Sequence, residues 1–118
     1  MRKVLVIFGG VSPEHEVSRR SAAAVLEHID REKNQVHTVG ITKDGRWLYT
    51  GASAAAIADG TWEKQANLPA LLSCDRLQKG LMVMDHNKTT LIPIDVVMPM
   101  LHGENGEDGR LQGLLELA

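Results

Sequence analysis

The sequence predicts an α/β fold in which a mostly parallel sheet is flanked by helices and carries a β-hairpin. Residues 3–8 and 36–41 are short runs rich in β-branched residues, and the stretch between them has apolar residues at helical spacing. Residues 95–101 form a third apolar run, typical of a strand buried on both faces of a parallel sheet. The first strand, helix and second strand therefore form a β-α-β unit, whose crossover is nearly always right-handed.

The first helix is predicted to begin at Ser12 and Pro13, which suit the N-cap and the first helical position. Apolar residues lie on one side of this helix and charged residues on the other. The apolar side contains Val17, Ala22, Val25, Leu26 and Ile29, and the charged side contains Arg19, Arg20, Glu27 and Asp30.

The middle of the chain is predicted to contain two hairpins and a short helix. Asp44 and Gly45 favour a tight turn into a strand at residues 47–49. The alanine-rich residues 53–59 predict a helix that ends at Gly60. The apolar runs on either side of "DHNK" predict the second hairpin, and Pro93 suits only a strand end or a sheet edge.

Two further stretches complete the chain. Residues 61–80 show no clear pattern. A last helix is predicted from about Asp108, which suits its N-cap. Its inward-facing residues are Leu111, Leu114, Leu115 and Ala118.

The composition is that of one globular domain at residues 1–118, with 43% hydrophobic and 24% charged residues. A net charge of −2 and an aromatic content of 3% give no reason to expect nucleic acid or an anionic membrane as a partner. The only cysteine, Cys74, suits a reducing compartment. The apolar run after "MRK" is too short for a signal peptide or a membrane span, so we expect a cytoplasmic protein.

The first candidate loop is "GGVSPEHEVS", residues 9–18, at the carboxyl end of a predicted parallel strand, where ligands bind in open α/β sheets. Its glycines let the backbone approach a ligand, but the spacing G-x-G-x-x-G of dinucleotide sites is missing. Glu14 could hold an ammonium group, or it could simply stabilise the helix as an acid in the first turn. We expect His15 and Glu16 to belong to a solvated helix start.

The second candidate loop is "HGENGEDGRLQG", residues 102–113. A calcium loop needs glutamate six positions after Gly106, where this chain has Gln112, and a lone histidine without a nearby cysteine does not make a zinc site. We therefore predict no metal site. His102 could donate a hydrogen bond to a carboxylate or acyl oxygen of a substrate, or it could be a structural imidazole.

The stretches "GGVSPEHEVSRRSA" and "HGENGEDGRLQG" resemble the two signatures of the N-terminal domain of D-alanine–D-alanine ligases. The second stretch matches the family pattern His-Gly-x-x-Gly-Glu-Asp-Gly-x-Leu-Gln-Gly at every defined position. "GITKDGRW" is similar to the same segment of that family and of its vancomycin-resistance relatives. The resemblance spans the whole chain and implies a Rossmann-like pre-ATP-grasp domain.

The resemblance implies an ATP-grasp enzyme of peptidoglycan precursor synthesis, which forms dimers and uses ATP and Mg²⁺. ATP phosphorylates the carboxylate of one D-alanine, and the amine of a second D-alanine attacks the acyl phosphate to give the dipeptide. By motif match, the resemblance implies that Glu14 is the catalytic and substrate-binding residue that anchors the ammonium of the first D-alanine. It also implies that His102 is a substrate-binding residue near the carboxylate of the same molecule.

Family members are longer than this chain, and their ATP-binding domain, magnesium carboxylates and catalytic arginine lie outside the resembling stretch. We therefore expect a piece of a longer enzyme that binds no ATP or Mg²⁺ and catalyses no ligation by itself. Two alternatives stay open. One is a D-alanine–D-serine or D-alanine–D-lactate ligase of the vancomycin-resistance type, and the other is a stand-alone small-ligand binding or dimerisation module.

Overall fold

The computed structural model describes residues 1–10, 15–75 and 77–100. The elements, in chain order, are β1 (Arg2–Gly9), α1 (His15–His28), β2 (Asn34–Ile41), β3 (Trp47–Tyr49), α2 (Ala54–Asp59), a 3-10 turn (Thr61–Lys64), β4 (Leu68–Leu72), β5 (Leu81–Asp85), β6 (Lys88–Ile92) and β7 (Val96–Met100). All the strands expected from the sequence are present. The helix start at Ser12 and Pro13 and the last helix from Asp108 lie outside the described residues.

The strands form one sheet in the order β6-β5-β4-β3-β2-β1-β7. The α/β class, the β-α-β unit and both hairpins are confirmed. However, parallel pairing is confined to β1 with β2 and β1 with β7, and the other pairings are antiparallel, so the sheet is mixed. For β2–β3 and β5–β6 the reason is that the turns joining them are too short for the crossover that parallel neighbours need.

The stretch without a clear sequence pattern contains the 3-10 turn and β4. In β4 only Ala70 and Leu72 are buried, so the strand presents a short alternation that is hard to recognise in isolation. In the 3-10 turn Trp62 is fully buried. This part of the chain therefore contributes to the core through one aromatic side chain and two alternating strand residues, without a long periodic apolar face.

The face of the sheet that α1 and α2 cover has its core around Phe8 and Trp62. The two rings meet edge to face, with centroids 4.9 Å apart and planes at 74°. Gly40 lies beneath them, and a Cβ atom there would lie 2.3 Å from Cη2 of Trp62. The indole can approach the sheet this closely because residue 40 has no side chain.

The buried side of α1 differs from the expected one. Ala22 and Leu26 are buried as predicted, but Val17 is 43% exposed. His15 and Ser18 are buried in its place. The helix start lies against backbone groups at the end of the sheet, and buried backbone groups need polar partners.

The opposite face of the sheet contains an apolar cluster with a polar pair beside it. His37 Nδ1 and the Tyr49 hydroxyl are 2.9 Å apart. Burial, with a smaller contribution from the charge of Lys3, lowers the pKa of His37 below its ordinary value. Burial also raises the pKa of the Tyr49 hydroxyl. The pair is therefore neutral in the folded protein near neutral pH.

We expect the free energy of unfolding to fall as the pH is lowered below 6.5, the ordinary pKa of histidine. Because the pKa of His37 is lower in the folded state, the unfolded chain takes up the proton first. The loss should continue until the pH reaches the pKa of folded His37 and then stop. Urea unfolding at about pH 7.5 and about pH 5.5 measures it.

His37→Gln should reduce this pH dependence. His28→Gln, a change at an exposed histidine, is the matched control and should leave it as in the parent chain. If His37→Gln keeps the full pH dependence, the contribution assigned to His37 is wrong.

Candidate functional site

The candidate site lies where β1, β2 and β7 end. These three strands are parallel, so their carboxyl ends meet at the same edge of the sheet. The last paired residues are Gly9 with Ile41 and Phe8 with Met100. The first candidate loop follows β1 and the second follows β7, so both loops begin side by side at the edge that binds ligands in this kind of sheet.

Glu14 and His102, the two site residues expected from the sequence, lie outside the described residues. Their roles therefore stay predictions. The structure does describe the residues from which both loops start, Gly10 and Met100, and the start of α1 at His15. The contacts of these residues define the base of the site.

Gly9 and Gly10 pack against the backbone at the end of β2. Both have positive φ angles, 90° and 107°. Gly10 N donates to the carbonyl oxygen of Ile41 at 2.8 Å. A Cβ atom on Gly9 would lie 2.2 Å from the same oxygen, so only glycine fits. We expected these glycines to let the backbone approach a ligand closely. Among the described residues, the group that their backbone approaches is the Ile41 carbonyl of β2.

His15 is buried, which corrects the expectation of a solvated helix start. Its Nδ1 lies 2.8 Å from the carbonyl oxygen of Gly10. Because a carbonyl oxygen only accepts hydrogen bonds, Nδ1 carries the proton and donates it. Glu16 is exposed, as expected, and lies 4.0 Å from both Arg19 and Arg20. Such exposed ion pairs contribute little to stability.

Ser18 is a site residue that the sequence analysis missed. Its side chain is fully buried, and its Oγ accepts a hydrogen bond from Gly9 N at 2.8 Å. The same hydroxyl donates to the carbonyl oxygen of Met100. The sequence did offer a signal for it. Ser18 is a polar residue four positions before Ala22, which puts it on the same side of α1 as the predicted buried residue.

A polar cleft of about 470 Å³ lies beside this edge of the sheet. It is lined by residues of α1, the β2–β3 turn and the segment after α2: His15, Arg19, Thr42, Lys43, Asp44, Gly60 and Glu63. Two lining side chains are cationic and two are anionic. The cleft can therefore contact both charges of a small zwitterionic molecule.

The described part of the chain contains no group of three histidine, cysteine, aspartate or glutamate side chains that could hold a metal ion. In the same residues, neither helix has the length and apolar character that a membrane crossing requires.

Comparison with known proteins gives consistent matches over almost the whole chain. The family model described as the D-ala D-ala ligase N-terminus matches residues 3–118. A D-alanine–D-alanine ligase of Caldicellulosiruptor bescii is 50% identical over 117 residues, which cover 98% of this chain and 31% of that protein. The chain thus spans about a third of the length of the curated relatives it matches.

Solved structures of ligases are also similar to the chain, and two of them serve as examples. The D-Ala:D-Ser ligase of Enterococcus faecalis superimposes with a TM-score of 0.92 at 41% identity, over 99% of this chain and 34% of the other. The D-alanine–D-alanine ligase of Coxiella burnetii gives a TM-score of 0.80 at 30% identity, also over 99% of this chain and 34% of the other.

Proposed function

Because the chain belongs to the family of D-Ala–D-Ala ligase N-terminal domains, we propose that residues 1–118 are the N-terminal substrate-binding domain of a D-alanine–D-alanine ligase. The reaction is ATP + 2 D-alanine → D-alanyl-D-alanine + ADP + phosphate, through D-alanyl phosphate. It supplies the dipeptide for peptidoglycan precursor synthesis. The observation that carries the proposal is the family match over residues 3–118, which includes both candidate loops.

The task we assign to this chain is to hold the first D-alanine. Glu14 pairs with its ammonium group and His102 donates to its carboxylate, both of which are charge-assisted hydrogen bonds. The parallel pairing of β1 and β7 supports this assignment, because it makes the loops that carry Glu14 and His102 start next to each other. Holding one substrate at both ends orients its carboxylate for reaction.

ATP and Mg²⁺ belong, in this proposal, to the parts of the ligase outside this chain. The isolated chain is therefore expected to release no ADP. By the same resemblance we place the enzyme in the cytoplasm as a homodimer, and a net charge of −2 gives no support for a nucleic-acid partner.

A second candidate is a ligase that joins D-alanine to D-serine, since the Enterococcus faecalis structure is named as such an enzyme. The D-lactate relatives belong to the same alternative. Both candidates use D-alanine as the first substrate, so the task assigned to Glu14 and His102 is the same in each. Assays with D-serine and D-lactate as second substrates on the complete enzyme separate them.

A chimeric ligase tests the proposal. Residues 1–118 replace the matching N-terminal part of the Caldicellulosiruptor bescii ligase, and ADP release is measured against D-alanine concentration. We expect D-alanine-dependent turnover from the chimera and none from the isolated chain. Glu14→Gln should raise the KM for the first D-alanine by about tenfold or more, since a hydrogen bond to a charged group contributes about 1.5–3 kcal/mol. His102→Ala should lower kcat/KM by about tenfold.

Glu16→Gln removes the next acid along the chain, which is exposed, and is the matched control for Glu14→Gln. It should leave both constants unchanged. Parent-like kinetics in Glu14→Gln or His102→Ala would refute the role of that residue. A chimera that is folded by circular dichroism but shows no D-alanine-dependent ADP release would refute the proposed function.

A further inference from the structure

We propose that Ser18 is a positioning residue that couples the two substrate-binding loops. Its hydroxyl holds the end of β1 and the end of β7 together, and thereby sets Glu14 and His102 relative to each other. The inference rests on the function proposed above. Ser18 is the last residue of the first candidate loop, but no substrate contact is assigned to it, so its effect on substrate is indirect.

The hydroxyl of Ser18 is used twice. It accepts from Gly9 N at 2.8 Å, and it donates to the carbonyl oxygen of Met100. A serine hydroxyl has one proton to donate and free lone pairs to accept, so both bonds form at once. Gly9 begins the loop that carries Glu14, and Met100 is two residues before His102. One side chain thus contacts the root of each loop.

Ser18 contacts β1 and β7 at the point where the backbone pairing between these two strands ends. The ladder between β1 and β7 has its last pair of described residues at Phe8 and Met100. Gly9 lies one residue beyond that pair, and its N–H group turns to the helix instead of to β7. The contact with Ser18 therefore continues the alignment of β1 and β7 by one further residue, towards the loops.

The helix that carries Ser18 is itself fixed to the sheet. Ala22 and Leu26, further along the same side of α1, belong to the core cluster that also contains Val4 and Val6 of β1. His15, one turn before Ser18, contacts the carbonyl oxygen of Gly10. Because Ser18 is fully buried, water does not compete for its bonds, and removing the hydroxyl leaves Gly9 N–H and the Met100 carbonyl without this partner.

The kinetic test uses the chimeric ligase described above. Ser18→Ala should raise the KM for the first D-alanine by about tenfold. This is the effect expected if misplacing Glu14 and His102 weakens substrate binding by about the free energy of one hydrogen bond. Ser18→Thr keeps the hydroxyl and should recover most of the loss. Ser21→Ala makes the same chemical change on the same helix, at a residue with no hydrogen bond to either strand among the described residues, and should change nothing.

The variant Leu26→Ala distinguishes the proposed positioning role of Ser18 from a general contribution to the stability of α1. This variant removes a buried side chain from the same helix and should lower the melting temperature at least as much as Ser18→Ala does. Assayed well below its melting temperature, it should keep the parental KM. If Leu26→Ala raises KM as Ser18→Ala does, or if Ser18→Ala keeps the parental KM, the coupling is overturned.

The same inference can be tested without turnover on the 118-residue chain by NMR. Ser18→Ala should speed amide exchange at Gly9 and shift the signals of both Gly10 and His102, whereas Ser21→Ala should shift neither. A change confined to one loop contradicts the coupling. An inactive parental chimera refutes the proposed function, whereas an active chimera with normal Ser18→Ala kinetics refutes only the coupling.

Discussion

Trp62→Ala should lower the free energy of unfolding by about 3–5 kcal/mol, the range for removing a large aromatic side chain from a core. Trp62 is fully buried, and it packs edge to face on Phe8 and directly over Gly40. Gly40 has no side chain that could fill the space the indole leaves. Urea unfolding followed by far-UV circular dichroism measures the loss.

Two further variants test the origin of this loss. Trp47→Ala makes the same change at the other tryptophan, which is only half-buried, and should cost clearly less. Trp62→Phe should cost less than Trp62→Ala, because it keeps a ring in the core and removes an indole N–H that has no hydrogen-bond partner within the described residues. Equal losses for Trp62→Ala and Trp47→Ala would show that Trp62 is not the anchor of this core.

Gly9→Ala should lower the free energy of unfolding by about 2–5 kcal/mol. A φ of 90° costs a residue with a Cβ atom about 1–2 kcal/mol, and overpacking against a rigid neighbour costs about 1–3 kcal/mol more. The neighbour here is the carbonyl oxygen of Ile41, 2.2 Å from the added Cβ, and a backbone oxygen inside a sheet cannot turn away. The same denaturation experiment measures this loss.

Gly51→Ala is the matched control for Gly9→Ala. A Cβ atom at residue 51 meets nothing within 4 Å, and the residue is exposed. The stability of this variant should stay the same or rise by up to about 1 kcal/mol, because alanine restricts the unfolded chain. A loss for Gly51→Ala as large as that for Gly9→Ala would contradict the steric explanation.

Features that depend on neighbouring residues along the chain were predictable from the sequence. The β-branched run at residues 3–8 is strand β1, and "DHNK" marks the turn between β5 and β6. Ser53 caps α2 by accepting a hydrogen bond from Ala56 N at 3.2 Å, and Gly60 ends it in the left-handed conformation. Strand propensity, turn chemistry and helix caps act within a few residues, so they are written in the local sequence.

Features that depend on distant residues were settled only by the tertiary structure. The sequence predicted the antiparallel hairpins β2–β3 and β5–β6, but it could not show that β4 pairs antiparallel with β3 and β5, because that depends on the path of the connections. Val17 had the spacing of a buried residue, yet Ser18 occupies the interior because the ends of β1 and β7 need a polar partner there. Residues 61–80 had no long periodicity because they contribute to two separate clusters of the core. Trp62 packs against Phe8, whereas Ala70 and Leu72 belong to the cluster on the opposite face of the sheet. The sequence by itself thus determined the local elements and the two loop motifs, whereas the three-dimensional contacts decided how α1 holds the strands from which those loops begin.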